Sequence, residues 1–206
     1  MRALASALML CHLGLVVSPG TLQVNVVFEG APIPARLKAA AIKEVALVWA
    51  PYGVDVHAAS ADDADSGLRI AVVVHARTRR PAPIEVLAST QFLADVPEPV
   101  ILVYPDAVDA VVTATLTGRS DPELSSVFRD LATGRVFGRA LAHEIGHVLL
   151  RSAAHSNNGL MRATHSAFDL ISPSRQQFTL SCDDVTRLMS LVPGQRTGAL
   201  TRVARQ

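Results

Sequence analysis

The sequence predicts an α+β fold in which a sheet packs on helices, one of them buried on most sides. Three observations predict it. Short Val-rich segments with strand character recur through the first half, at Leu22 to Phe28, Leu68 to Ala76 and Val100 to Tyr104. A helical period runs from Pro34 to Ala50 and returns from Val136 to Leu150. Gly, Pro, Asn and Asp clusters punctuate the gaps between these runs.

The elements follow in order. Leu22 to Phe28 alternates and reads as a strand. From Pro34 to Ala50 the spacing turns Leu37, Ala41, Ile42, Val45, Val48 and Trp49 inward, and Arg36, Lys38, Lys43 and Glu44 outward, until Pro51-Tyr52-Gly53 stops the helix. Val54 to His57 is a short strand, Ala61 to Gly67 an acidic turn, and Leu68 to Ala76 a buried strand. Arg77 to Pro83 is a basic loop whose charges read as a solvated face. Ile84 to Leu93 is expected to supply an edge strand, and Val100 to Tyr104 a further strand. Asp106 to Leu116 leans to helix because it is Ala-rich and followed by Gly118. Asp121 as a cap with Pro122 in the first turn opens a further helix, which Gly134 is expected to separate from the next. Ser181-Cys182-Asp183-Asp184 opens a last helix to Leu191, closed by Pro193-Gly194.

Composition narrows the function classes. With 206 residues, half of them hydrophobic, the chain is long enough for one globular domain with its own core. A net charge of +1 and few aromatics exclude nucleic-acid or membrane-surface binding driven by charge or base stacking. Residues 1–20 read as a signal peptide: Arg2 begins it, Ala3 to Val17 is mostly apolar, and Ser18-Pro19-Gly20 breaks it. The expected organisation is therefore a leader over 1–20, one domain over 21–194 and a polar, flexible tail over 195–206. The mature chain is expected to be secreted or periplasmic, monomeric, and without stable membrane insertion, since the apolar run is short for a span. Once the leader is gone Cys182 is the sole cysteine, so no internal disulfide forms; a lone thiol is ordinarily an inert core residue.

The chemistry sits in Ala142-His143-Glu144-Ile145-Gly146-His147-Val148. Residues four apart lie within about 40° of one another around a helix, so both imidazoles project from one face and can grip a single Zn²⁺. Glu144, one step round, can reach a water on that metal. Chance predicts only about 0.007 occurrences of His-Glu-x-x-His for 7 His and 6 Glu in 206 residues, so coincidence is a poor explanation. A catalytic zinc wants a third protein ligand and an open position. The candidates are His155, in the turn-rich run Arg151 to Gly159, and His165; Asp169 and Asp183 are more remote. His57 and His75 fall on strands and read as structural.

From His143 to Met161 the chain resembles the metzincin zinc peptidases. The resemblance is carried by His143-Glu144-x-x-His147, by His155-Ser156 and by Gly159-Leu160-Met161. Metzincins place five residues between the second and third His, the third of them Gly; here there are seven, and Leu150 stands at the glycine position. The resemblance implies a twisted mixed sheet packed on helices with a long zinc-binding helix. It also implies one catalytic Zn²⁺ on His143, His147 and His155, with Met161 as a hydrophobic floor. Glu144 is then the general base for hydrolysis of a peptide or protein substrate through the zinc-bound water. Tyr104 is a candidate oxyanion contact, against its plainer role of packing at a strand end. The same residues would also suit a zinc-dependent hydrolase of a non-peptide amide, or a binding domain stabilised by zinc.

Overall fold

A computed structural model of the chain describes residues 21–60, 67–76, 86–116 and 122–191, with side chains omitted at 122–125. The leader, the Ala61–Gly67 turn up to residue 66, the Arg77–Pro83 loop, the Asp121 cap and the 195–206 tail all lie outside the described residues. Five strands form one mixed sheet: β1 (Leu22–Gly30), β2 (Val54–Ala59), β3 (Leu68–Val74), β4 (Ala88–Leu93) and β5 (Val96–Val103), in the order β2-β1-β3-β5-β4. β2, β1, β3 and β5 run parallel, and β4 closes one edge antiparallel to β5. Helices α1 (Ala35–Trp49), α2 (Pro105–Leu116), α3 (Pro122–Leu150), α4 (Ala167–Ile171) and α5 (Cys182–Leu191) complete it.

Alternation decides which strand residues meet the helices. Val24 and Val26 of β1, Val54 and Val56 of β2, Ile70 and Val72 of β3, and Ile101 and Val103 of β5 are all buried in one cluster with α1, α2 and α3. Burial of each such side chain contributes about 1.5–3 kcal/mol. Across this cluster run Trp49, whose indole nitrogen donates to Ala142 O at 3.2 Å, and the edge-on pair Phe28 and Phe137. No helix among the described residues is long and apolar enough to cross a membrane.

Four expectations need correction. Gly134 does not divide two helices: α3 is one helix of 29 residues. The glycine is there for proximity, because a Cβ on it would lie 2.7 Å from Ala40 Cβ of α1. Glu44 does not face out. Helix α1 buries it, and its carboxylate pairs with Arg139 Nε at 2.8 Å and Arg175 Nη2 at 2.6 Å. Lys38 is half-buried, with its ammonium 5.1 Å from the Phe28 ring centroid, where the stem covers apolar surface. Cys182 is exposed at the start of α5 instead of in the core.

β5 starts four residues before the expected Val100, because Val96 and Pro97 also pair with β4. Prolines cannot donate to a ladder, so the pairing there is irregular: Thr90 faces Ile101 but Phe92 faces Pro97, leaving three β5 residues opposite Gln91. The hairpin turns on Ala94 and Asp95, both at positive φ (48° and 67°), which is the two-residue geometry that matches strand twist.

Candidate metal centre

The site grows from the C-terminal end of α3. The helix runs through Leu150, the residue standing at the expected glycine, and the chain turns one position later. Arg151 takes the left-handed conformation at φ 49°. Its N–H donates to Val148 O at 3.3 Å, and Ser152 N–H reaches back to His147 O at 3.1 Å. That pair of bonds is the Schellman arrangement, normally built on glycine. Arg187 of α5 takes two further carbonyls at this end, with Nε to Leu150 O at 2.6 Å and Nη2 to Arg151 O at 3.1 Å. Arg151→Gly is accordingly expected to raise stability by about 1 kcal/mol, since the Cβ penalty disappears while residue 151 makes its cap bonds through its main chain alone. A denaturant midpoint at or below wild type would contradict it.

Beyond this turn the chain returns beneath the helix. Gly159, at φ 72°, passes so close to Thr179 that a Cβ there would lie 2.1 Å from its carbonyl oxygen. Leu160 N–H then donates to that same oxygen at 2.7 Å. This places Met161, fully buried, directly under Gly146, where an added Cβ would meet its sulfur at 2.3 Å. The methionine is therefore packed against α3 at Gly146, one residue before His147.

Both imidazoles are fixed from behind. His143 Nδ1 donates to Leu160 O at 2.8 Å and His147 Nδ1 to Ser152 O at 2.7 Å. Each ring is thereby a tautomer with its lone pair on Nε2, and the two Nε2 atoms face each other 3.2 Å apart. Two acceptors so placed repel unless a cation lies beside both. Ligand nitrogens at the edge of a tetrahedral zinc site, about 2.0–2.1 Å from the ion, are about 3.3 Å apart. His155 completes the group, its ring stacked on that of His143 at 5.3 Å and edge-on to that of His147 at 5.0 Å. The ligating atoms of all three histidines lie within 4.8 Å of one another despite the seven-residue gap. The donor set fits zinc: three imidazoles, two of them held by carbonyls as metal-bound histidines commonly are.

Electrostatics favour the same state. Burial holds the pKa of His143 down at about 4, against the bond to Leu160 O that pushes it up. Burial also lowers that of His147, so both rings are neutral at neutral pH. Burial raises the Glu144 carboxyl above the ordinary carboxylate range, opposed by bonds from Thr90. That carboxylate is held on one oxygen: Oε2 accepts from Thr90 N at 2.7 Å and Thr90 Oγ1 at 2.8 Å.

The other candidates fall elsewhere. His165 does not join the group; its Nε2 donates to Leu160 O at 3.2 Å, the carbonyl that also holds His143, and its Nδ1 accepts from Arg162. Asp169 bonds Arg162 and the Ser166 that caps α4, while Asp183 is exposed in the first turn of α5. Tyr104 stacks on His75 at 4.8 Å just past the end of β5, the plainer of its two roles. His57 pairs with Asp55 at 2.9 Å on β2. Sequence reasoning did not find Thr90, nor Phe92, whose ring meets His147 edge-on at 5.9 Å. Neither carries a local signal, because both are brought to α3 only by the pairing of β4.

No protein-family model and no curated protein sequence matches the chain. Solved structures similar to it include the archaemetzincin of Methanopyrus kandleri, at 14% identity and a TM-score of 0.48 over 85% of this chain and 98% of that one. A zinc-dependent peptidase from Methanocorpusculum labreanum is similar at 13% identity and a TM-score of 0.47, over 80% and 99%. Likeness of this degree decides nothing about chemistry, which has to be read from the residues themselves.

Proposed function

We propose that the chain is a zinc-dependent peptidase of metzincin-like type, with one zinc on His143, His147 and His155 and Glu144 as general base. The observation that carries the reading is the pair of Nε2 lone pairs facing each other at 3.2 Å, with both Nδ1 positions already committed to carbonyls. Bound there, zinc supplies Lewis acidity, polarising a substrate carbonyl and making water acidic near neutral pH.

The protein's own part is orientation and proton transfer. Leu160 O and Ser152 O hold the two helical rings in the ligating tautomer, so no reorganisation is needed when the site fills. Glu144 Oε2 is occupied by Thr90, and Oε1 takes no hydrogen bond among the described residues. Oε1 is then the atom that takes a proton from the attacking water and delivers it to the leaving amine. Burial strengthens it as a base, since a buried carboxylate has more to gain from protonation. Phe92 is 41% exposed beside His147, an open apolar wall suited to a side chain of a peptide substrate.

Metal analysis of protein never exposed to chelator is expected to find one zinc per chain, and a mixed peptide library to be cleaved. Absence of stoichiometric zinc would sink the metal assignment. Zinc without cleavage of peptides would leave a non-peptide amide hydrolase or a zinc-stabilised binding domain.

A further inference from the structure

We infer that Thr90 is a positioning residue for Glu144: the edge strand clamps carboxylate oxygen Oε2 with two donors and so aims Oε1 at the reacting water. The inference rests on the peptidase reading and adds to it a residue from outside the helix and its following turn.

Thr90 is buried on β4, 54 residues before Glu144 in sequence. Its N–H and its hydroxyl both donate to the same oxygen, and the hydroxyl also lies 3.0 Å from Glu144 O. Two donors on one oxygen fix the rotation of a carboxylate about its last bond, which a single donor does not. The irregular pairing of β4 with β5 begins directly after Thr90, next to Pro97 and Pro99, so the strand departs from its regular course where it meets the site. A merely structural staple between β4 and α3 would need only the bond to the main-chain oxygen. Here the stronger contacts go to the carboxylate.

Two measurements on the zinc-loaded full chain test this. In steady-state cleavage of a peptide taken from the library, Thr90→Val keeps the shape and the N–H but removes the hydroxyl. It is expected to lower kcat roughly tenfold, the worth of one charge-assisted hydrogen bond, with KM within about twofold of wild type. Thr90→Ser is expected to restore kcat to within about threefold, a rescue that a packing role for the methyl group would not give. Rates are taken per bound zinc, so loss of folded protein does not enter. An unchanged kcat in Thr90→Val, or no rescue by serine, overturns the positioning role.

The second measurement does not use activity. Hydrogen exchange at the Thr90 amide is expected to accelerate tenfold or more in Glu144→Ala, with the other β4 amides unaffected. Exchange that stays unchanged shows that the carboxylate does not hold that N–H and overturns the clamp. A wild-type chain that cleaves nothing overturns the peptidase reading, and the positioning role with it, whatever exchange reports. Cleavage by wild type with failure of the Thr90 arms overturns the positioning role alone.

Discussion

Glu144→Gln is expected to retain full zinc and a wild-type fold while hydrolysis falls by roughly 10² to 10⁴, the usual contribution of a positioned acid–base group. The substitution is gentle on the structure for a specific reason. Thr90 N and Oγ1 both donate to one carboxylate oxygen, and the amide oxygen of glutamine can accept both. The amide nitrogen then stands where Oε1 stood, offering a donor in place of a base. Burial raises the carboxyl pKa of the wild type, so replacing it with a neutral isostere removes a desolvation cost and stability should hold. Cleavage measured per bound zinc decides the matter. Undiminished activity in the variant would show that another group does the chemistry, and loss of zinc would make Glu144 a ligand or a ligand's support.

Glu44→Ala is expected to destabilise the chain by about 3–5 kcal/mol, the usual cost of leaving one partner of a buried ion pair alone. Arg139 is the partner, and its side chain is fully buried in the middle of α3. Burial lowers its pKa and Glu44 raises it again, yet a guanidinium does not shed its proton in a protein, so the charge stays. What remains in the variant are the carbonyls of Asp169, Leu170 and Ser174 and the Phe178 ring, 4.5 Å from the guanidinium carbon. Those groups solvate the cation but carry no countercharge. Replacing Arg139 by methionine as well would not restore wild-type stability here, because the carbonyls around α4 would lose their donor. Urea unfolding at neutral pH measures both; a loss under about 1 kcal/mol in Glu44→Ala would show the pair to be incidental.

Legibility in the sequence followed the range of the interactions. Helix α1 showed its apolar face because that face is set by residues three and four apart. The start of α5 was equally plain, and Ser181 and Asp184 do bond each other's main-chain N–H groups. His143 and His147 were legible because a helix alone brings them together. His155 needed the turn after Leu150 as well, and the resemblance to metzincins pointed to it. Glu44 was misplaced because the guanidinium that justifies burying it is 95 residues away. Gly134 was read as a break because glycine at a helix crossing and glycine at a helix end look alike until Ala40 is seen against it. β4, Ala-Ser-Thr-Gln-Phe-Leu, has weak strand character, and its place comes from β5 across an irregular ladder. Thr90 was silent for the same reason.

The interior glycines of α3 also set an order of events in time. Gly134, Gly138 and Gly146 each cost the helix about 1 kcal/mol relative to alanine, so the segment 122–150 has little reason to be helical by itself. It gains its shape by docking on Ala40 and Glu44 of α1 and on Met161, contacts that exist only after distant parts of the chain have met. His143 and His147 share a face only once that has happened. A newly made or unfolded chain therefore offers no prearranged grip on zinc, and competition for the ion falls to the folded molecule. The core from Val24 to Leu188 is continuous around α3, so on the zinc-peptidase reading a shortage of metal would empty the site and lower stability by mass action without dissolving the fold.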